Sequence, residues 1–285
     1  MAVTNFKPEL WAKMVLASLK KKSVGEFFVN HNYEGDIKAQ GITVNINILN
    51  DVTVRDYDPT ENLTYEDLGT TKKQLVINQA KYAAIKLDDV DKVQAAGELL
   101  GPATRNIAYK LNDAYDKFIF DTLIAAATAS AGNMVGTDIA PVNIYNANNA
   151  IDCLIDVMTK ANKNNIGDAE RRAVVDPEVA GQIMKSDKRS ITPKFAEFIS
   201  NGYIGNLYGI EVFTSNNLAT STGGNHLILV TNPDMTTVAS QILNMEALRS
   251  ENSFKDLVRA LHVYGGKTIY DTGVVGAYVS LANPQ

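Results

Sequence analysis

Cysteine and histidine are scarce in this sequence, which holds one cysteine and three histidines among 285 residues. A lone cysteine cannot close a disulfide within the chain or supply a multi-cysteine zinc site, so the sequence excludes both. Cys153 lies on the apolar side of a predicted helix, and we expect it to be buried and unreactive. The histidines, His31, His226 and His262, are far apart and lack the spacing of metal ligands. We therefore predict neither a metal site nor a cofactor, and we interpret His262, within a strand pattern, as structural.

The chain also lacks a basic surplus and a long apolar run. Its 27 lysines and arginines face 32 aspartates and glutamates, a net charge of −5, whereas dedicated nucleic-acid binders are usually basic. The charge argues against a dedicated nucleic-acid binder and does not exclude a surface that merely faces nucleic acid. No apolar stretch approaches the ~20 residues of a membrane span. Lys7, Lys13 and Lys20 interrupt the region where a signal peptide would have its apolar core. These absences predict synthesis in a reducing cytoplasm, without a membrane partner.

Motifs for nucleotide binding and nucleophilic catalysis are absent as well. Gly202, Gly205 and Gly209 do not have the spacing of a dinucleotide-binding loop. The sequence contains neither a phosphate-binding G-x-x-x-x-G-K-[ST] loop nor a G-x-S-x-G elbow. An active site can still be assembled from residues distant in sequence. An enzyme therefore stays open as an alternative, although the sequence favours a protein without catalytic activity.

What the chain does have is a long amphipathic segment, predicted as one helix over residues 88–128. Apolar residues recur at steps of three and four, the period of one helix face. This stripe consists of Val93, Ala96, Leu100, Ala103, Ile107, Leu111, Ala114 and Phe118. Asp88, Asp89 and Asp91 suit the positive N-terminal end of a helix, and a divalent ion is the less favoured interpretation of these acids. Gly101-Pro102 predicts a kink or a restart.

Ahead of this helix the pattern predicts a long antiparallel hairpin. Residues 41–48 alternate strictly between apolar and polar, as a half-buried strand does. A second strand is predicted within 75–87, and the segment 56–71 between them carries five acids and no base. Because an isolated two-stranded hairpin is barely stable in water, we expect support from outside the subunit.

The N-terminal residues 8–22 predict a short amphipathic helix with a basic end. Pro8 suits its first turn, and Lys20, Lys21 and Lys22 suit its negative C-terminal end. A helix this short is marginal alone in water. It must therefore dock, either on its own subunit or on a neighbour, and the sequence leaves both open.

The rest of the chain mixes helices and strands after a small, polar boundary at 129–141. Asp176-Pro177 has the residues of a helix N-cap and first position, and Gly265-Gly266 permits a bend or bulge in a strand. The predicted helices are 147–161, 177–184 and 193–200, and the predicted strands are 173–175, 210–213, 227–230, 253–264 and 274–281, with a turn at 271–273. The fold class predicted from these elements is α+β.

Several stretches, taken in order, resemble the coat proteins of tailed bacteriophages with the Hong Kong 97-type fold. The stretches are Phe6-Lys7-Pro8-Glu9-Leu10-Trp11, Val29-Asn30-His31-Asn32-Tyr33-Glu34-Gly35-Asp36-Ile37, Gly41-Ile42-Thr43-Val44, Val52-Thr53-Val54-Arg55-Asp56-Tyr57, Lys86-Leu87-Asp88-Asp89-Val90-Asp91-Lys92 and Ala260-Leu261-His262-Val263-Tyr264-Gly265-Gly266-Lys267. The resemblance spans essentially the whole chain.

The resemblance implies a division of the chain into named parts. These are an N-terminal arm (1–33), an extended hairpin loop with the start of the peripheral domain (34–87), the spine helix of the peripheral domain (88–128), the axial domain (129–236), return strands of the peripheral domain (237–270) and a C-terminal strand in the axial domain (271–285).

The function that the resemblance implies is that of a major capsid protein in the virion. Copies would form the pentamers and hexamers of an icosahedral head around double-stranded DNA, together with portal and cement proteins. The alternatives are an encapsulin-like nanocompartment shell and an enzyme with a pocket in the axial domain.

The sequence departs from the family pattern in two places. Some members join subunits through a loop lysine, whereas here Lys72 and Lys73 lie at the base of the hairpin and its tip has none, which argues against self-crosslinking. Some members carry a scaffolding segment before the arm. Because the arm here begins almost at Met1, either that segment has been removed or a separate scaffolding protein exists, and we favour the separate protein.

Opposite charge on two segments predicts contact between subunits. Residues 1–22 carry five lysines against one glutamate, and residues 56–71 carry five acids. We expect the two segments to reach onto neighbouring subunits, with their charges steering placement; the alternative is that the charges only keep them soluble. The candidate contact residues are Lys20, Lys21, Lys22, Asp56, Asp58, Glu61, Glu66 and Asp67.

Overall fold

The computed structural model describes residues 24–34, 43–56, 65–88, 100–130, 132–167, 169–186, 202–250 and 255–281. Within these ranges the chain forms three α-helices and twelve β-strands, which confirms the α+β class. The helices are α1 (Leu100–Ala129), α2 (Ala147–Lys163) and α3 (Pro177–Lys185). The strands are β1 (Thr43–Leu49), β2 (Thr70–Val76), β3 (Gln79–Asp88), β4 (Met134–Val135), β5 (Val142–Asn143), β6 (Arg172–Val175), β7 (Tyr203–Leu207), β8 (Ile210–Thr214), β9 (His226–Thr231), β10 (Thr236–Arg249), β11 (Lys255–Thr268) and β12 (Val274–Ser280).

The larger sheet has seven strands in the order β4-β12-β9-β6-β8-β7, with β5 also paired to β12. Strands β6, β9 and β12 are almost continuous apolar runs because both faces of the sheet are covered. Val175 and Ile228 point toward a core shared with α2 and α3. Val174 and Leu229, their neighbours along the strands, point to a second core that includes part of α1.

Helices α2 and α3 begin where the sequence places their caps. The Asn146 side chain accepts a hydrogen bond from the backbone N–H of Asn149 at 3.0 Å. The Asp176 carboxylate accepts one from the N–H of Glu178 at 3.0 Å, with Pro177 in the first turn. Both side chains satisfy a donor that the helix leaves unpaired. The predicted second amphipathic helix and the predicted Asp176 cap are thereby confirmed.

The smaller sheet has three antiparallel strands in the order β10-β11-β3, and α1 packs across it. Ile107 and Leu111 on α1 meet Val258 and Ala260 on β11 in a compact apolar cluster. Asp88, predicted to open the helix, is instead the last residue of β3. Its backbone pairs with Lys255 of β11, and sheet pairing outweighs its preference for a helix N-terminus. Residues 89–99 lie outside the described part of the chain.

The buried face of α1 changes along the helix. Ile107 and Leu111 are buried as the apolar stripe predicts, but Phe118 is only partly buried. Farther along, the buried positions are Tyr115, Ile119 and Leu123. The cause is that the second half of α1 packs against the N-terminal segment and the larger sheet as well as the smaller one. A single stripe therefore describes only its first half.

The predicted hairpin exists, but its second strand was placed wrongly. β1 and β2 pair antiparallel from Thr43 with Val76 to Leu49 with Thr70. The pattern within 75–87 belongs mostly to β3, which pairs with β11 and not with β1. The chain changes sheets at residues 77–78, within the stretch 75–87 that the sequence analysis predicts as one strand.

Gly265 and Gly266 lie in regular pairing, so the bend or bulge that the sequence permits there is absent; the irregularity of this ladder falls between Ile242 and Asn244. A Cβ at Gly265 would lie 2.1 Å from the carbonyl oxygen of Val76. The glycine thus allows close backbone approach.

The residue pattern did not predict strands β4, β5, β7 and β10, although the resemblance implied return strands over 237–270. Three glycines in and around β7 obscure its alternation, and one of them, Gly205, lies at a pairing irregularity. The predicted helices at 8–22 and 193–200 lie outside the described residues.

Candidate assembly surfaces

Beyond its paired strands, the hairpin displays apolar side chains to solvent. The segments 50–56 and 65–69 contain no regular strand. Val54 is 93% exposed and Tyr65 is 88% exposed. Val52 and Leu68 in these segments and Leu49 at the end of β1 are also exposed, so that five large apolar residues lie within about 20 positions of the chain. A grouping of this kind is typical of a surface that another molecule covers.

The acids of the tip are only partly available to a neighbouring subunit. Arg55 Nη2 lies 2.6 Å from Glu66 Oε1, and the N–H of Thr53 donates to Glu66 Oε2 at 3.2 Å. Both interactions lower the pKa of Glu66, and the hydrogen bond from Thr53 has the larger effect. Asp56 and Asp67 are exposed. The acidic segment defined from the sequence begins at residue 56, immediately after Arg55, so the sequence analysis did not include this ion pair.

The remaining predicted contact residues cannot be placed. Lys20, Lys21 and Lys22 of the basic segment, and Asp58 and Glu61 of the tip, lie outside the described residues. Contact between the two charged segments therefore stays a prediction.

The base of the hairpin is fixed to the body of its own subunit. Ile46 and Leu75, one from each strand, join a buried cluster with Ile269. Lys73 Nζ lies 2.8 Å from Asp271 Oδ2. This lysine, one of the two at the base of the loop, is thus engaged within its own chain. A cavity of about 240 Å³ lies beside β1 and the Ile269–Tyr270 segment.

Residues 24–34 are also fastened to the body. The Asp116 carboxylate, buried on α1, accepts hydrogen bonds from the N–H groups of Gly25 at 3.1 Å and Val24 at 3.4 Å. Phe28 is fully buried and its ring meets those of Phe120 and Phe213 at 6.1 and 5.6 Å. The root of the N-terminal segment therefore docks on its own subunit; residues 1–23 lie outside the described part.

Glu34 joins this root to β10. Its carboxylate lies 3.0 Å from His31 Nδ1 and accepts hydrogen bonds from the Ser240 N–H at 3.2 Å and hydroxyl at 3.1 Å. Partial burial acts to raise the pKa of Glu34, but these hydrogen bonds outweigh it and bring the pKa down to about 2. The segment that leads into the hairpin is thus held by an ionised carboxylate.

The imidazole of His262 is buried between two tyrosines. Its ring centroid lies 5.2 Å from that of Tyr115 on α1 and 4.9 Å from that of Tyr264 on β11. Burial lowers the pKa of His262 to about 4, although the charge of Glu34 acts in the opposite direction. The prediction that His262 is structural is consistent with this position.

A second projecting loop, residues 136–141, connects β4 to β5. Ile139 at its tip is 99% exposed. Gly136 turns the chain with a φ of +71°, a conformation that favours glycine. Within the loop, the Thr137 N–H donates to the Ala140 carbonyl at 3.0 Å, and the Ala140 N–H donates to the Thr137 hydroxyl at 3.0 Å.

The loop is tied to the neighbouring turn through Asp138. Its carboxylate accepts hydrogen bonds from the Gly223 N–H at 3.2 Å and from Asn225 Nδ2 at 3.0 Å, while Asn225 Nδ2 also donates to the Asp138 carbonyl at 2.8 Å. Hydrogen bonds from Ser221 and Asn225 lower the pKa of this carboxyl. These contacts make the loop a well-defined projection.

Two side chains that could take part in catalysis, Cys153 and His226, lie in surroundings that account for them structurally. Cys153 is buried, as predicted, and burial raises the pKa of its thiol to about 12. His226 Nδ1 lies 3.2 Å from Asp176 Oδ2, but Asp176 also caps α3. Among the residues described, no group of three or more histidine, cysteine, aspartate or glutamate side chains could hold a metal ion. Within the same ranges, no helix combines the length and apolar character needed to cross a membrane.

Comparisons with known proteins bear directly on the function. Residues 70–277 match a family described as phage capsid protein. A solved structure from Mycobacterium phage Che8 is 34% identical, with a TM-score of 0.74 over 96% of this chain and 98% of that one. The capsid structure of cyanophage P-SCSP1u is 13% identical, with a TM-score of 0.66 over 85% of each chain. A chain from the mature capsid of bacteriophage PhiM1 is 16% identical, with a TM-score of 0.64 over 90% of this chain and 88% of that one. The comparison with curated proteins gave no match.

Proposed function

Because this chain belongs to the phage capsid protein family, we propose that it is the major capsid protein of a tailed phage. Its copies assemble into the icosahedral head that encloses double-stranded DNA. The family match covers most of the chain and favours this function over an encapsulin-like shell and over an enzyme.

The observation that best supports assembly is the hairpin. Its base is fixed by the cluster around Ile46 and Leu75 and by the Lys73–Asp271 ion pair, so its direction is set before any partner binds. Its distal part exposes Val54, Tyr65 and their apolar neighbours. A projecting segment with a defined direction and an uncovered apolar surface suits contact with an adjacent subunit, since burial of that surface favours association.

The finer parts of the proposal concern partners. Copies form pentamers and hexamers, a separate scaffolding protein guides their assembly, and portal and cement proteins complete the head. Contact with packaged DNA is weak and independent of sequence, in line with the net charge of −5. The protein is made in the bacterial host cytoplasm and ends in the virion.

Expression of the full chain, alone and with candidate scaffolding proteins, tests the proposal. Electron microscopy and sedimentation should show closed particles of megadalton mass in at least one of these preparations. A monodisperse small oligomer under every condition would contradict the proposal.

A further inference from the structure

We infer that the cavity beside β1 is a binding site for an aliphatic ammonium ion, that is, a positively charged amino group at the end of a short methylene chain. The cavity has a volume of about 240 Å³ and lies where three parts of the subunit meet. These are the root of the N-terminal segment, the hairpin strand β1, and the body at Asp234 and Tyr270. The inference goes beyond the proposed function, because it concerns a ligand of the single subunit and does not depend on assembly.

The charge of the lining favours a cation. Nine described residues line the cavity, and Asp234 is the charged one among them. None of the ion pairs formed among the described residues involves Asp234. Lys73, which also lies at the base of the hairpin, is paired with Asp271 at 2.8 Å. Asn30 and Asn32 line the cavity as well, and an amide oxygen can accept a hydrogen bond from an ammonium N–H.

The rest of the lining suits a short methylene chain. Ile46, Ile48 and Ile269 provide an apolar wall, which is continuous with the buried cluster at the base of the hairpin. Tyr33 and Tyr270 also line the cavity, and a tyrosine ring attracts a cation that lies over its face. The volume is below the ~300–1,000 Å³ of pockets that hold drug-sized ligands. The cavity therefore fits a ligand about as large as one long side chain.

A metal ion matches this lining less well than an organic cation does. Calcium takes about 6–8 oxygen ligands, commonly from several carboxylates. Among the described residues, no group of three or more histidine, cysteine, aspartate or glutamate side chains could hold a metal ion. One carboxylate beside an apolar wall instead suits a single positive charge on an alkyl chain.

Hydrogen bonds within the subunit hold the walls of the cavity in place. Asn30 Nδ2 donates to the Pro233 carbonyl at 3.1 Å, and the Asn30 N–H donates to the Thr236 carbonyl at 3.0 Å. The Asp234 N–H donates to Asn232 Oδ1 at 3.0 Å, which fixes this backbone without use of the Asp234 carboxylate. A preformed site binds its ligand at a smaller entropic cost. A ligand that contacts the root, β1 and the body also stabilises their arrangement, since it binds the folded state.

Two sources supply this chemistry, a free aliphatic diamine and the lysine side chain of another protein. Both carry an ammonium group on a chain of four methylenes, so two probes separate them. Butane-1,4-diamine represents the free amine, and Nα-acetyl-lysine methylamide represents the side chain. Butane-1,4-diol has a chain of the same length without charge and is the control ligand.

Equilibrium dialysis of the unassembled full-length chain against each probe tests the inference. About 0.15 M salt screens general attraction to the acidic surface. At least one of the two amines should bind saturably at one site per chain, and the diol should not bind. Asp234→Asn keeps the shape of the side chain and should weaken binding at least about tenfold, because it removes the charged acceptor. Asp51→Asn makes the same change at an exposed position outside the cavity and should leave binding within about twofold of wild type.

Tyr270→Leu is a second variant, at a half-exposed position, and should weaken binding about two- to fivefold through loss of the ring. Diamine binding alone assigns the site to a free amine, and tighter binding of the blocked lysine assigns it to a protein side chain; either result supports the inference. If neither amine binds saturably, if the diol binds as tightly as the amines, or if Asp234→Asn binds as wild type, the inference is overturned. A chain that forms no particles would contradict the proposed function and leave this binding result unchanged.

Discussion

The imidazole of His262 makes the stability of the subunit depend on pH. In the unfolded chain its pKa is near 6.5, whereas burial between Tyr115 and Tyr264 lowers it to about 4. The folded state therefore favours the neutral ring. The contribution of the neutral ring to the free energy of unfolding is fully present above pH 6.5 and is lost as the pH falls through 4. Glu34 keeps a pKa of about 2, so it stays ionised throughout that window.

We predict that replacing this histidine flattens the dependence of stability on pH. The free energy of unfolding of the wild-type subunit should fall by an amount on the order of 3 kcal/mol between pH 6.5 and 4. His262→Phe keeps an aromatic ring and removes the titration, so its curve should be flatter over that interval. Urea denaturation at several pH values measures both. Parallel curves for the two proteins would show that His262 titrates normally.

The sequence alone predicts part of the role of His262. The sequence places His262 in a strand, which favours a structural role, but its enclosure depends on α1, which lies about 150 positions earlier in the chain. The same limit explains Glu66, because its partner Arg55 lies across the hairpin and outside the run of acids that defined the tip.

At the scale of elements, α1 is held to the smaller sheet by a few apolar side chains. Leu111 is 4% exposed and packs with Val258 and Ala260. We predict that Leu111→Ala lowers the free energy of unfolding by about 2–5 kcal/mol, because it leaves a cavity in this contact. Lys110→Ala, at an exposed position next to it, is the control and should change stability by less than about 0.5 kcal/mol. A thermal or urea denaturation series measures both. If Leu111→Ala behaves like the control, the helix does not pack on β11 through this face.

The hairpin tip gives a second prediction at this scale. Neutralising Glu61, Glu66 and Asp67 to Gln or Asn should leave subunit folding nearly normal and make assembly weaker or more sensitive to salt, because acids of the tip steer it toward a basic partner. Particle yield across a salt titration measures the effect.

Arg55→Gln separates the two roles of Glu66. It breaks the pair within the loop while leaving the acids in place, so it should not reproduce the assembly defect. If assembly of the neutralised variant is unchanged at every salt concentration, the charges only keep the tip soluble.

For the molecule as a whole, the charge balance governs contact with DNA. Since acids outnumber bases, 32 to 27, unassembled subunits should bind DNA weakly, without sequence preference, and less strongly as salt is added. Filter binding with two unrelated duplexes measures this. Tight binding that survives ~0.2 M salt and prefers one sequence would contradict the expectation.

The sequence predicted local elements well and their partners poorly. Capped and strongly periodic segments, such as α2 and the Asp176 cap of α3, were located because their signals lie within a few residues. The hairpin was recognised, but the break at residues 77–78 was not, since the choice of pairing partner for β3 depends on β11, far along the chain. The exposed Val54 and Ile139 likewise have no local signal, because exposure is a property of the folded subunit.

The position of β12 has a consequence for when the subunit can form. This strand, Val274–Ser280, lies between β9 on one side and β4 and β5 on the other. The larger sheet is therefore split into two unconnected parts until residue 280 has left the ribosome. Nascent chains cannot complete the sheet during most of their synthesis, and fragments that stop before Val274 lack its connecting strand. We therefore expect products that end before Val274 to be unable to complete the subunit fold on which assembly depends.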